Sequence, residues 1–232
     1  MKIITPLIRR SALILTTSLV LTAASAMGQQ AGTVQLRLIT LPPKTEHPAL
    51  KLLQGAGEAL PVETAASRLT GPYKVPKQDF WTFVAATPPV ANEAAPAAVA
   101  KIRALASANQ LVVLVKEPDP SGKYGGFALN TAKDAFAERQ FLIVNLSPLE
   151  LAAEIGGKRV ALAPGKPVVV KPAADQGQDL CHTTIFSRAG AQWQPFFSTN
   201  WPLRDKVRGL VFLYQESATG KILLHAVTDF LE

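Results

Sequence analysis

No part of this chain restricts its fold more than Phe141 to Lys171, FLIVNLSPLELAAEIGGKRVALAPGKPVVVK. Phe141 to Val144 is a short apolar run of residues that suit a pleated surface. Asn145, Ser147 and Pro148 end it, because Asn and Ser side chains compete for backbone hydrogen bonds and Pro148 cannot donate to a ladder. Leu151, Ala153 and Ile155 then alternate with Ala152 and Glu154, the two-residue period of a strand with one buried face. Gly156-Gly157 suits the positive φ angles of a tight hairpin, and Pro164-Gly165 suits a second turn before Val168 to Val170. The stretch predicts a meander of three or four antiparallel strands. A helix over 149–155 is the competing reading, limited to about two turns by Pro148 and Gly156.

Residues 1–26 read as a secretory signal peptide. Lys2, Arg9 and Arg10 form a basic start, Ser11 to Ala23 an apolar middle, and Ala24-Ser25-Ala26 a small-residue cleavage site. The apolar run is shorter than the roughly 20 residues of a membrane span, so no transmembrane segment is expected after the leader is removed. Three of the 24 basic side chains leave with the leader, so 21 face 17 acidic ones in the mature chain. That balance is mild and dispersed, with no basic run interleaved with aromatics, and nucleic acid is not expected as a partner. Cys181 is the only cysteine, so no intrachain disulfide can form, and the exported chain must rely on its hydrophobic core. Cys181 itself reads as a small buried hydrophobe in a strand.

The rest of the chain has the same texture. Val34 to Leu41 alternates as a first strand, Phe80 to Val84 is a strand by composition, and Ala97 to Ala108 leans to a strand that turns at Ala108-Asn109 and returns as Leu111 to Val115. Ala85 to Ala100, rich in Ala and Pro, reads as a linker or long loop. Thr131 to Ala137 reads as a short helix or turn, and the chain closes on a hairpin, Gly209 to Gln215 and Lys221 to Phe230, around Thr219-Gly220. No repeat of fixed period is visible. Short strands with Gly and Pro between them predict an all-β protein, an antiparallel β-sandwich built as two immunoglobulin-like or related domains. The Pro118 to Gly122 turn is the expected boundary, giving domains over 27–118 and 119–232.

Candidate chemistry is sparse. His47, His182 and His225 are far apart in sequence, and Cys181-His182 would point to opposite strand faces, so neither a metal centre nor a Cys–His pair is expected. No serine stands in a nucleophile elbow, and Gly156-Gly157-Lys158 lacks the spacing of a phosphate loop. Asn145-Leu146-Ser147 matches a glycosylation sequon but reads better as strand punctuation. The expectation is no catalytic residues, no cofactor and no metal. The aromatic segment Trp193, Phe196, Phe197, Trp201, Phe212 and Tyr214 is the one plausible binding surface. A regular strand would put Trp193 and Phe197 on one face, and Trp201, between Asn200 and Pro202, is the ring most expected at the surface. Trp193, Trp201 and Tyr214 are therefore the candidate binding residues.

From FLIVNLSP through IGGKRVALAPGKPVVV to LVFLYQESATGKILLHAV, the second half resembles exported bacterial β-sandwich proteins without assigned activity. Phe80-Trp81 followed by Pro88-Pro89, and Asn145 to Pro148 followed by Gly157-Lys158, resemble the periplasmic pilus chaperones, which have two immunoglobulin-like domains. About fifty mature residues precede Phe80-Trp81, fewer than that family's first domain needs, and its anchoring Arg and Lys pair has no counterpart here, so no functional residue is carried over. The reading that emerges is a non-catalytic periplasmic or secreted protein that binds a protein or polysaccharide partner of the envelope. The alternatives are a carbohydrate-binding module using exposed aromatics and a periplasmic chaperone-like assembly factor.

Overall fold

The computed structural model describes residues 32–55, 58–86, 97–119, 121–172 and 179–231. The leader at residues 1–26 lies outside the described residues, as do residues 87–96 of the Ala- and Pro-rich stretch. Among the described residues the secondary structure is entirely β. The first half contributes β1 (Thr33–Leu41), β2 (Leu50–Gln54), β3 (Glu58–Val62), β4 (Thr70–Pro76), β5 (Phe80–Ala85), β6 (Ala98–Arg103), β7 (Asn109–Lys116) and β8 (Tyr124–Asn130). The second contributes β9 (Phe141–Asn145), β10 (Leu151–Ile155), β11 (Lys158–Leu162), β12 (Pro167–Val170), β13 (Leu180–Ala189), β14 (Gln192–Pro202), β15 (Val207–Gln215) and β16 (Ile222–Phe230).

These strands form four sheets with the orders β3-β2-β5-β6, β4-β1-β7-β8, β12-β9-β15-β16 and β11-β10-β13-β14. The last two orders repeat the first two with every strand eight places further along the chain. The one parallel neighbour in each repeat also corresponds, β1 with β7 and β9 with β15. The protein is therefore two β-sandwiches of one topology in tandem, although the sequence shows no repeat of fixed period. What recurs is the pattern of buried positions, which many different residues satisfy.

Three apolar clusters fill the spaces between sheets. Leu36 and Leu38 of β1 and Val112 and Leu114 of β7 pack with Leu50, Trp81 and Phe83 inside the first sandwich. Ile143 of β9 and Val211 and Leu213 of β15 pack with Leu151, Ile155 and Ile185 inside the second. The alternate residues on the same strands, Ile39, Leu41, Leu111, Val113, Leu142, Val144, Leu210 and Phe212, form a third cluster between the two inner sheets. β1, β7, β9 and β15 are buried on both faces, which is why they read as continuous apolar runs.

The strands expected within Phe141 to Lys171 all form, but not as a meander. β9 pairs with β12 in the inner sheet, while the β10–β11 hairpin belongs to the outer sheet and pairs onward with β13. Asn145 makes the crossing possible. Its fully buried amide donates to the carbonyls of Leu149 and Leu162, while its Oδ1 accepts from the backbone N–H and the hydroxyl of Ser147. One side chain thus holds both the departing and the returning chain. The sequon is structural punctuation, as expected. Gly156 and Gly157 both have positive φ, as the tight turn between β10 and β11 requires, and β10 is a strand rather than a helix.

The strand over Ala98–Arg103 forms, but it does not turn back on β7. β6 pairs with β5, and the chain crosses to the inner sheet before β7. Buried Gln110 pins this crossing by donating to the carbonyls of Leu105 and Ser107 and accepting from the indole N–H of Trp81. The strands flanking Pro118 to Gly122 pair with each other from Gln110↔Asn130 to Lys116↔Tyr124, so the expected boundary falls between two paired strands of the first sandwich. The passage to the second sandwich comes later, between Asn130 and Phe141, where Phe136 N–H closes a turn on Ala132 O. The final hairpin forms as expected, from Val207↔Phe230 to Gln215↔Ile222.

The two sandwiches are joined by charge as well as by apolar packing. Asp229 on β16 accepts from Arg37 of β1 through both carboxylate oxygens, and its Oδ2 also accepts from Arg208 Nε at 2.7 Å. Arg208 in turn donates to the Phe136 carbonyl and stacks 4.5 Å above the Phe136 ring. Asp229 and Arg208 are almost wholly buried.

Two substitutions test this account. A methyl group at Gly209 would overlap the Phe141 ring, meeting Cε1 at 2.7 Å. Gly209→Ala is therefore expected to lower unfolding free energy by about 1–3 kcal/mol in urea titration. Asn145→Ala leaves the Leu149 and Leu162 carbonyls and the Ser147 N–H without this partner, and is expected to destabilise by about 2–3 kcal/mol in the same measurement.

Candidate functional site

β13 and β14 are the longest hairpin in the second sandwich, and their sequences explain why. Thr183, Thr184 and Ile185 face Thr199, Ser198 and Phe197, and Arg188 faces Trp193, across a ladder rich in β-branched and aromatic residues. The turn between them uses Gly190 at positive φ. On the inner face, Cys181, Ile185 and Trp201 join the core. The opposite face of this outer sheet is open to solvent. It carries His182, Thr184, Phe186 and Arg188 from β13, and Trp193, Pro195, Ser198 and Asn200 from β14.

A β-bulge decides which aromatics reach that face. The register runs Ile185↔Phe197 and then Phe186↔Pro195, leaving Phe196 as the extra residue. The bulge inverts the alternation, so Phe197 lies on the core side with Ile185 while Trp193 lies on the outer side with Arg188. A regular strand would have put both on one face.

Of the three candidate binding residues, only Trp193 is well placed. It is 37% exposed at the hairpin's far end. Trp201 is 7% exposed and packs against Phe141, with ring centroids 4.8 Å apart, so the expectation that it would be the surface ring is overturned. The alternation of β14 turns it inward beside Cys181, irrespective of its polar neighbours. Tyr214 sits on β15 of the inner sheet, half-buried, with its phenol pKa raised first by burial and then by the nearby Glu216 carboxylate. The three rings do not converge.

The structure instead gathers residues that the sequence reading treated separately. His182 Nδ1 donates to Asn200 Oδ1 at 3.0 Å, and its Nε2 lies 3.3 Å from each of the hydroxyls of Thr184 and Ser198. Thr184 and Ser198 hydroxyls are also 3.3 Å apart. Next to this polar row, Phe186 lies under the Arg159 guanidinium at 5.3 Å, and Arg188 reaches Glu150 at 3.4 Å. The face thus runs from a hydrogen-bonding end to an aromatic and cationic end carrying Trp193. The signal in the sequence was period-two polarity on both strands, His182/Thr184 and Ser198/Asn200, but its value depends on the register that opposes them. Cys181 and His182 do point to opposite faces, as read.

The His182 row has the atom types of a nucleophile, a base and an orienting amide. Nε2 is within 3.3 Å of both hydroxyls, and the row lies on the side of β13 and β14 away from the core. β14 is also an edge strand, and Pro195, Pro202 and the bulge interrupt the ladder groups it presents.

No family model matches the chain, and no curated protein matches it. Among solved structures, the chain is similar to a candidate cell adhesion protein from Bacteroides uniformis, at 13% identity and a TM-score of 0.22, covering 87% of this chain and 98% of that one. No helix among the described residues is long and apolar enough to cross a membrane. The class defined by the coordinates is thus an all-β protein of two sandwiches.

Trp81, Trp193 and Trp201 should separate spectroscopically. Trp193→Phe is expected to remove most of the acrylamide-quenchable tryptophan emission of the folded protein, whereas Trp201→Phe is expected to leave it in place.

Proposed function

We propose that the protein is an exported, non-catalytic binding protein of the cell envelope or extracellular space, which engages a macromolecular partner through the open face of β13 and β14. Export rests on the leader-like residues 1–26. The observation that carries the binding reading is the exposed Trp193 on the same face as a row of hydrogen-bonding side chains, His182, Thr184, Ser198 and Asn200. An indole offers a flat apolar surface, and a neighbouring row of hydroxyl, imidazole and amide groups suits the hydroxyls of a partner that lies along it.

A polysaccharide is favoured over a protein because the face pairs one stacking ring with several small polar groups. A protein hot spot gathers a desolvated cluster of anchors instead. Titration of the protein with a panel of envelope and extracellular polysaccharides, read by tryptophan emission and by calorimetry, tests this. Trp193→Ala is expected to weaken binding at least about tenfold, with His182→Ala weakening it less. Binding that survives both substitutions unchanged, or no response to any polysaccharide, would overturn the saccharide reading.

A further inference from the structure

The outer sheet of the first sandwich also turns one face to solvent. Leu52, Trp81, Phe83 and Ile102 point into the core. The alternate residues of the same strands, Lys51, Phe80, Thr82, Lys101 and Arg103, therefore point away from it. On β3 the outward positions are Ala59 and Pro61, which pair with Leu53 and Lys51. Three cations thus share this face, and no carboxylate lies among them. Glu58 and Asp79 stand at strand ends, and among the described residues neither forms an ion pair.

The charge on this face is uncommitted. Among the described residues, the Lys51 and Arg103 side chains have no hydrogen-bond or ion-pair partner. The Lys101 ammonium meets only the Phe80 ring, 4.6 Å from its centroid. An ammonium carries three donors, and its attraction to a ring leaves donors for an anion. The register sets the arrangement. Phe80 lies opposite Arg103, and Thr82 opposite Lys101, so both cations of β6 neighbour the ring, one directly and one diagonally. Phe80 itself is 43% exposed.

We propose that this face binds an acidic polysaccharide whose sugars carry carboxylates. A carboxylate makes charge-assisted hydrogen bonds with Lys101 and Arg103, and the C–H face of its sugar lies on the exposed part of Phe80. Lys51, two strands away from β6, meets a carboxylate further along the same polymer. Two other anionic partners fit less well. A membrane surface is entered by several projecting apolar side chains, and one aromatic ring stands here. An acidic protein would bury a cluster of anchors, which this face lacks. The face belongs to the first sandwich and β13–β14 to the second, so either binding reading can fail alone.

Isothermal titration of the full mature chain with polygalacturonate, its neutral methyl ester, and phosphatidylglycerol vesicles tests the proposal. Polygalacturonate is expected to bind, and the ester and the vesicles to bind at least about tenfold more weakly. Its affinity is expected to fall at least about tenfold as salt rises from about 0.1 M to about 1 M, which shortens the screening length from about 10 Å to about 3 Å. Lys101→Glu and Arg103→Glu change exposed side chains and should keep the parental urea midpoint. Each is expected to weaken polygalacturonate binding at least about tenfold, and Phe80→Ala to weaken it about threefold. Trp193→Ala, on β14, is expected to leave it unchanged. No binding of polygalacturonate, equal binding of its ester or of the vesicles, salt-independent affinity, or parental affinity in a folded Lys101→Glu/Arg103→Glu protein would overturn the proposal. Loss of polygalacturonate binding in Trp193→Ala would overturn it as well, by placing the acid on the β13–β14 face.

Discussion

Asp229 is the point on which the two halves of the molecule are fastened. Its carboxylate sits 2% exposed on β16, held by Arg37 from the first sandwich and Arg208 from its own. Burying a carboxylate is favourable only when its oxygens are filled by charged donors, and here both are. The requirement acts in both directions. The buried Arg208 guanidinium is compensated by Asp229, the Phe136 carbonyl and the Phe136 ring, and Phe136 belongs to the turn that joins one sandwich to the next. The junction is thereby specified by direction as well as by apolar contact.

Around this tie the inner sheets behave as shared walls. β1, β7, β9 and β15 each present one set of side chains to their own sandwich and the alternate set to the cluster between the sandwiches. A strand in that position has no solvent face, so polar residues within it need internal partners. Gln110 and Asn145 meet that demand in the two repeats by pinning chain crossings between inner and outer sheets. The two residues differ in position and partners, yet each converts a buried polar group into the means of changing sheets.

The outer sheets, each with a face away from the core, are free of this double constraint. β13 and β14 are longer than their counterparts β5 and β6. The bulge at Phe196 sends Trp193 outward and Phe197 inward, and the corresponding pair β5–β6 carries a register shift of its own, between Phe83 and Val84.

The all-β class, the strand positions and the tight turns were legible from sequence because each rests on local chemistry. Period-two burial, Gly156-Gly157, the final hairpin and the inward place of Cys181 needed only neighbouring residues to be read. Partner choice was not legible. Whether Phe141 to Lys171 forms one meander or is divided between two sheets depends on what Asn145 meets across the fold, and no local pattern contains that. The same holds for the aromatics: one bulged residue inverts the face of everything beyond it, so Trp193, Phe197 and Trp201 could be sorted only once the register with β13 was known. The chain by itself determined that sheets would form and where their strands lie. The tertiary structure alone decided which strands share a sheet, how one topology occurs twice without a sequence repeat, and how Arg37, Arg208 and Asp229, distant in sequence, come to hold the two sandwiches together.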